Sequence, residues 1–160
     1  MNDCALIPLN GGRFAKVDHA DLPLVSGVKW SVLEIGGLQY ARRTIRVGKR
    51  QKTVLMHRVI MGVADDQLVD HIDGDGLNCC RFNMRVATKG ENNLNKRVRS
   101  SSQTGVKGVR KHSNCNKYIA EIKPPGQPRI YLGLFSTIEE AAAAYAQAAE
   151  KHHGEFRRTQ

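Results

Sequence analysis

The sequence predicts an α+β protein built from small units, and three patterns predict it. Short apolar runs punctuated by Gly-Gly pairs fill the first fifty residues. The middle of the chain reads as strand, glycine-spaced loop, strand and helix, and the last third as three alternating stretches followed by an alanine-rich helix. With 160 residues, 41% of them hydrophobic, there is material for one ordinary domain or two small ones. Lys and Arg number 25 against 15 Asp and Glu, and the resulting net charge of +10 favours nucleic acid or an anionic membrane as partner. No apolar run approaches membrane-spanning length, and M-N-D-C-A-L-I-P lacks the basic start of a secretory signal, so nucleic acid is the expected partner.

The four cysteines, Cys4, Cys79, Cys80 and Cys115, form no C-x-x-C pair and have no histidine pair at zinc-finger spacing. That argues against a structural zinc site and fits a reducing compartment. Adjacent Cys79 and Cys80 read as small, partly buried thiols, because bridging neighbours is strained.

In residues 1–50, Trp30, Val32, Leu38, Tyr40, Ile45 and Val47 suggest hairpin strands around Gly-Gly turns. Arg42, Arg43, Arg46, Lys49 and Arg50 crowd one end, as phosphate contacts or as a solvated face. The second segment, 51–97, opens with T-V-L-M-H-R-V-I-M-G, a short helix ended by Gly62. Its His57, in an apolar turn, reads as a packed residue before a catalytic one. Residues 98–103 are small and polar and read as a linker.

The third segment, 104–160, alternates well enough to assign faces. In Y-I-A-E-I-K, Tyr118, Ala120 and Ile122 oppose Ile119, Glu121 and Lys123; in R-I-Y-L-G-L-F, Ile130, Leu132 and Leu134 oppose Arg129, Tyr131 and Gly133. The earlier G-V-R-K-H sets Arg110 and His112 opposite Val109. The helix that follows has a capping box at Ser136 and Glu139 and a stop at Gly154. One helix covers one face of a three-stranded antiparallel sheet, leaving the other face to carry Arg110, His112, Lys123, Arg129 and Tyr131. Such a ribbon fits the major groove of DNA, where arginine pairs with guanine edges and neighbouring cations neutralise phosphates.

The stretch V-D-H-I-D-G-D-G-L-N-C-C-R-F-N, residues 69–83, is acidic within a basic chain. It fails as an EF-hand loop: starting at Asp73 puts Leu77, and starting at Asp70 puts Ile72, where an oxygen ligand belongs. Hydrolysing a phosphodiester needs a base for water, a cation at the departing oxygen, and something to hold the base in place. His71 follows Asp70; Asn83 precedes strand-like M-R-V-A; Thr88 and Glu91 make a capping box that puts Asn92 in a helix's first turn.

The run D-H-I-D-G-D-G-L-N-C-C-R-F-N-M-R-V-A-T-K-G-E-N-N-L-N resembles the ββα-metal core of phage-type HNH homing endonucleases, over about residues 54–97, and M-H-R-V-I-M-G resembles what precedes that core. The resemblance implies His71 as general base, Asp70 and Asn92 as ligands of a divalent ion, Mg2+ or Mn2+, and Asn83 as the residue that braces the loop and orients the histidine. The third motif position, histidine in the family's name, is here Asn92, with Asn93 and Asn95 as alternatives. Similar family members with asparagine there bind metal through its amide oxygen, and the best-known of them nick one strand. Asp73 and Asp75 read as turn residues before ligands.

The third segment is similar, over about residues 104–156, to the DNA-binding domain of plant ethylene-response factors: G-V-K-G-V-R, Y-I-A-E-I-K, then Y-L-G-L-F-S-T-I-E-E-A-A-A-A-Y. The resemblance implies DNA contacts from Lys107, Arg110, His112, Glu121, Lys123, Arg129, Tyr131 and the helix residue Tyr145. Lys107, His112 and Lys123 stand where that family usually has arginine, and Tyr131 where it has tryptophan. Lysine cannot reproduce arginine's bidentate pairing, so the plant target sequence is not implied.

Together these readings predict a homing-type endonuclease of phage or bacterial origin, acting in the cytoplasm of the host cell on double-stranded DNA, and the resemblance to the HNH family implies 5′-phosphate and 3′-hydroxyl ends. A single core and a single linker predict a monomer that nicks, with a dimer cutting both strands as the alternative. Competing readings are a DNA-binding regulator whose nuclease core has decayed and, more weakly, an RNA-binding module, against which stands the lack of exposed aromatics for base stacking.

Overall fold

The computed structural model describes residues 4–96, 98 and 101–156. It is a mixed α+β chain of several small antiparallel sheets, divided into two compact units, Met1–Lys89 and Gly90–Gln160. Residues 99 and 100 of the expected linker lie outside the described residues.

In the first unit, β1 (Cys4–Pro8) and β2 (Phe14–Asp18) form a hairpin, followed by the short helix α1 (Leu22–Val25). A three-stranded sheet follows in sequence order, β3 (Ser31–Ile35), β4 (Leu38–Val47) and β5 (Arg50–Leu55). The helix expected to begin near Thr53 starts later: α2 spans Met56–Met61, because Thr53 and Val54 pair across β4 with Thr44 and Arg43, as β-branched residues favour. Gly62, at φ 62°, closes α2 by donating its N–H to the Arg58 carbonyl at 3.0 Å. Strand β6 (Leu68–His71) then pairs with β7 (Met84–Ala87).

Residues 1–50 and the loop region share one core. Ile7, Ala15, Val17, Val25, Trp30, Ala41, Met56, Ile60, Cys79 and Met84 pack together, and the indole of Trp30 donates to the Val25 carbonyl at 2.8 Å. The loop between β6 and β7 is laid against β2, with Lys16 donating to Leu77 O at 2.9 Å and Cys79 donating to Lys16 O at 2.8 Å. Arg81 grips the buried carboxylate of Asp21 through Nε and Nη2 and also donates to Ile60 O.

The short helix α3 (Lys89–Leu94) leads into the second unit. That unit carries β8 (Val109–Lys111), β9 (Tyr118–Ile122) and β10 (Ile130–Phe135), ordered β10-β9-β8, and the helix α4 (Ile138–His153). Val109 and Ala120 meet Ala141 beneath the helix. The alternation expected for β10 fails at one point. A bulge between Tyr131 and Gly133 inserts an extra residue, so Leu134 pairs with Ile119 and stands 41% exposed, while Leu132 and Phe135 pack on the helix side. The capping box is also one residue later than expected: Glu140 N–H donates to Thr137 Oγ1 at 3.2 Å, and the Glu140 carboxylate accepts from Ser136 and Thr137 N–H. Among the described residues no helix is long and apolar enough to cross a membrane.

Candidate active site

Strand pairing sets Asp70 opposite Arg85 and His71 opposite Met84. Asp70 is buried at 4% exposure, and Arg85 donates to its Oδ2 from Nε at 2.9 Å and Nη2 at 2.8 Å. A carboxylate so enclosed needs such a partner, and the guanidinium fixes its orientation.

His71 is also buried, and two rings enclose it. His57, from α2, lies edge-on with centroids 5.0 Å apart at 87°, and Tyr40, from β4, stands 5.6 Å from His57 and 5.9 Å from His71. Burial depresses the His71 pKa below the ordinary histidine value, against the opposing pull of Asp73, Asp70 and Asp75. Burial, then His71 and Arg58, depresses His57 to about 3. Burial and Asp70 raise the Tyr40 pKa. At neutral pH both imidazoles are therefore uncharged, the form in which a histidine accepts a proton.

Asn83 sits at the loop's base, 3% exposed. Its side-chain oxygen accepts from Asp73 N–H at 3.0 Å, its amide donates to Asp73 Oδ1 at 2.9 Å and to Asn78 O at 2.8 Å, and its carbonyl accepts from Ile72 N–H at 2.8 Å. These bonds clamp the residues that immediately follow His71. Asp73 also accepts from Asp75 N–H and from the Asn78 amide, and Asp75 accepts from Leu77 N–H. Burial alone would raise the Asp73 pKa, but the Asp75 backbone bond, the Asn78 and Asn83 amides and His71 outweigh it and hold the carboxyl below its usual value. Both aspartates thus act as turn formers. Gly76 permits the closest approach in the loop: a Cβ there would lie 2.4 Å from Gln39 O and 2.6 Å from the Tyr40 ring.

The structure brings Asp70, His71 and Asn83 together; Asn92 lies on α3, within the second unit. Arg85 and Tyr40 carry no functional signal in the sequence, and His57, expected as a packing residue, packs against His71. Strand pairing of Leu68–His71 with Met84–Ala87 would have revealed Arg85; the contacts of His57 and Tyr40 depend on tertiary structure.

On the open sheet face of the second unit, Arg110 and Arg129 converge on Glu121, with Arg110 Nε at 3.6 Å and Arg129 donating to Oε1. Tyr131, opposite Glu121, is 61% exposed, and Lys123 is exposed just past β9. His112 shapes the turn after β8: its N–H donates to Lys117 O and its Nδ1 accepts from Asn114 N–H. Two other expected DNA contacts serve the unit's interior. The Lys107 ammonium donates to the carbonyls of Asn93, Leu94 and Lys96 at the end of α3. The Tyr145 ring covers Gly108, where a Cβ would meet it at 2.1 Å, and stands edge-on to His153, and burial raises its pKa.

The chain is 34% identical over 148 residues to an uncharacterized HNH endonuclease of Acanthamoeba polyphaga mimivirus, a match covering 91% of this chain and 73% of the viral one. This chain belongs to the HNH endonuclease family. It also matches an ethylene-responsive transcription factor of Arabidopsis thaliana, 54% identical over 44 residues, 27% of this chain and 24% of the plant protein. A dehydration-responsive element-binding protein of the same plant is 35% identical over 85 residues, 44% of this chain and 41% of its own. The chain thus spans less than half the length of these plant relatives. No family model matches the chain. The HNH relative comes from a giant virus and not from a phage.

Proposed function

We propose that this HNH family member is a metal-dependent DNA endonuclease of the homing type that nicks one strand, with its C-terminal unit holding the duplex. The observation that carries the reading is the buried, uncharged His71 beside Asp70, on a loop clamped by Asn83. In this reading His71 takes the proton of the attacking water. Arg85 keeps the Asp70 carboxylate aimed, and the Asn83 clamp limits drift of the base. Tyr40 and His57 keep bulk water from the imidazole and so keep it neutral.

The family resemblance assigns the metal to Asp70 and Asn92, and hard oxygen donors of this kind suit Mg2+ or Mn2+ rather than a soft metal. Such an ion would stabilise charge on the departing oxygen. Arg110, His112, Lys123, Arg129 and Tyr131 offer the DNA surface, with Glu121 setting the spacing of the two arginines. Lys107 and Tyr145 act from behind it, by holding the unit together.

Supercoiled plasmid incubated with the protein and magnesium, manganese or EDTA, beside His71→Ala, tests the reading. Metal-dependent open circles that the variant fails to make, with its DNA binding intact, are expected. Undiminished cleavage by His71→Ala would remove that residue from the chemistry. Linear product would replace the nickase with a double-strand cutter. Tight binding without any cleavage would mark a DNA-binding regulator with an inactive core.

A further inference from the structure

The structure gathers three metal-binding side chains well away in sequence from one another and outside the His71 site. Cys4 and Asp18 are direct partners across the β1–β2 hairpin, so their side chains share a face. Cys80, buried at the start of the turn that leads to Asn83, brings its Sγ to 3.0 Å from that of Cys4. Asp18 Oδ1 lies 4.0 Å from Cys4 Sγ, and its Oδ2 accepts the Arg81 N–H at 2.8 Å, which aims the first oxygen at the sulfurs. The three ligand atoms all lie within 4.8 Å of one another.

We propose that Cys4, Asp18 and Cys80 bind a zinc ion that fastens the N-terminal hairpin to the loop carrying Asn83. Two thiolates and one carboxylate form a borderline-soft donor set suited to zinc and unsuited to magnesium, with a water completing the tetrahedron. The sulfur separation lies between the ~2 Å of a disulfide and the roughly 3.8 Å set by two 2.3 Å zinc bonds at a tetrahedral angle. The third donor decides between them. A carboxylate beside two thiols opposes the thiolate that oxidation needs, whereas a divalent cation is stabilised by all three groups. Binding balances as Zn2+ displacing the two thiol protons, leaving a site with net charge −1 from two thiolates and one carboxylate. Local cysteine spacing gives no zinc signature in the sequence, because the two sulfur ligands are 76 residues apart and are joined only by the fold.

The test starts with wild-type protein purified in a non-thiol reductant without chelator. Elemental analysis is expected to give one zinc per chain, and cobalt in its place is expected to show a thiolate-to-cobalt charge-transfer band, which an oxygen-only site cannot produce. Both readings need no variant. Cys4→Ala is expected to lose the zinc and the band, Cys115→Ser to keep both, and Asp18→Asn to weaken zinc binding at least ~10-fold. Folded wild-type protein that, after equilibration with zinc, holds no more than Cys4→Ala would overturn the site. So would a Cys4–Cys80 disulfide, seen as linked peptides and the loss of two hydrogens from the mass, or unchanged zinc affinity in Asp18→Asn.

Discussion

Stability should fall as pH drops from 6.5 to 5, before any carboxylate of ordinary pKa takes part. The unfolded chain protonates a histidine near 6.5, but His57 in the folded protein stays neutral to about 3. Between those values the unfolded state binds the extra proton, so each pH unit lowers the unfolding free energy by about 1.4 kcal/mol per such histidine. From pH 6.5 to 5 His57 alone accounts for about 2 kcal/mol, and His71, shifted the same way, steepens the slope. Asp73, whose pKa is depressed, contributes stability that is present above its unfolded value and lost only below about pH 4. It therefore stays out of this window. The assay is urea unfolding at pH 7, 6 and 5 followed by the fluorescence of Trp30, the chain's single tryptophan, which is buried in the first unit's core. His57→Phe, which keeps a ring of similar size against Tyr40 and His71, should lose about 2 kcal/mol of that pH dependence. A flat wild-type profile between pH 6.5 and 5, or a variant as steep as wild type, would refute the claim that His57 is held neutral by its surroundings.

Three further changes separate the roles of neighbouring residues. Gly76→Ala places a Cβ against backbone at Gln39 and the Tyr40 ring; a loss of about 1–3 kcal/mol is expected by denaturation, with cleavage reduced further because Tyr40 borders His71. Arg81→Ala leaves the Asp21 carboxylate buried without its guanidinium, and a loss of about 2–3 kcal/mol is expected, the lower range because Arg81 is itself half exposed. Glu121→Ala frees Arg110 and Arg129; tighter non-specific DNA binding with a steeper salt dependence is expected in a titration at several salt concentrations.

What could be read from the sequence was local, and what could not was set by register or by distance along the chain. Alternation placed β9 and the start of β10, then lost phase at the bulge, since nothing in Y-L-G-L-F marks which residue is extra. The capping box was visible as chemistry but ambiguous in position: Ser136 and Thr137 are both good caps, and Glu139 and Glu140 both follow at the right spacing. Lys107 reads locally as a DNA contact, whereas its ammonium holds the end of α3, a bond between residues eleven or more positions apart that no local pattern announces. In the candidate site, the grouping of Asp70, His71 and Asn83 is visible locally because they fall within one loop and its flanks. His57 and Tyr40 are not, since only the packing of α2 and β4 brings their rings to His71.

The contrast between an acidic loop and a basic chain looks different once the hydrogen bonds are counted. Asp73 and Asp75 are engaged by amides of their own loop, and Asp70 is paired with Arg85, so the three carboxylates do not assemble a cage of bare negative charge. Their arrangement fixes shape first: the turn holds Asn83 and His71, and Arg85 holds Asp70. A cation meeting Asp70 must share that carboxylate with a guanidinium, which weakens its attraction when DNA is absent. A phosphate brought to the same place adds the missing negative charge and oxygen donors. On the proposed reading, the basic surface and the weakly charged loop are therefore complementary: DNA binding supplies much of the charge that makes metal binding favourable, so metal affinity and DNA affinity are coupled.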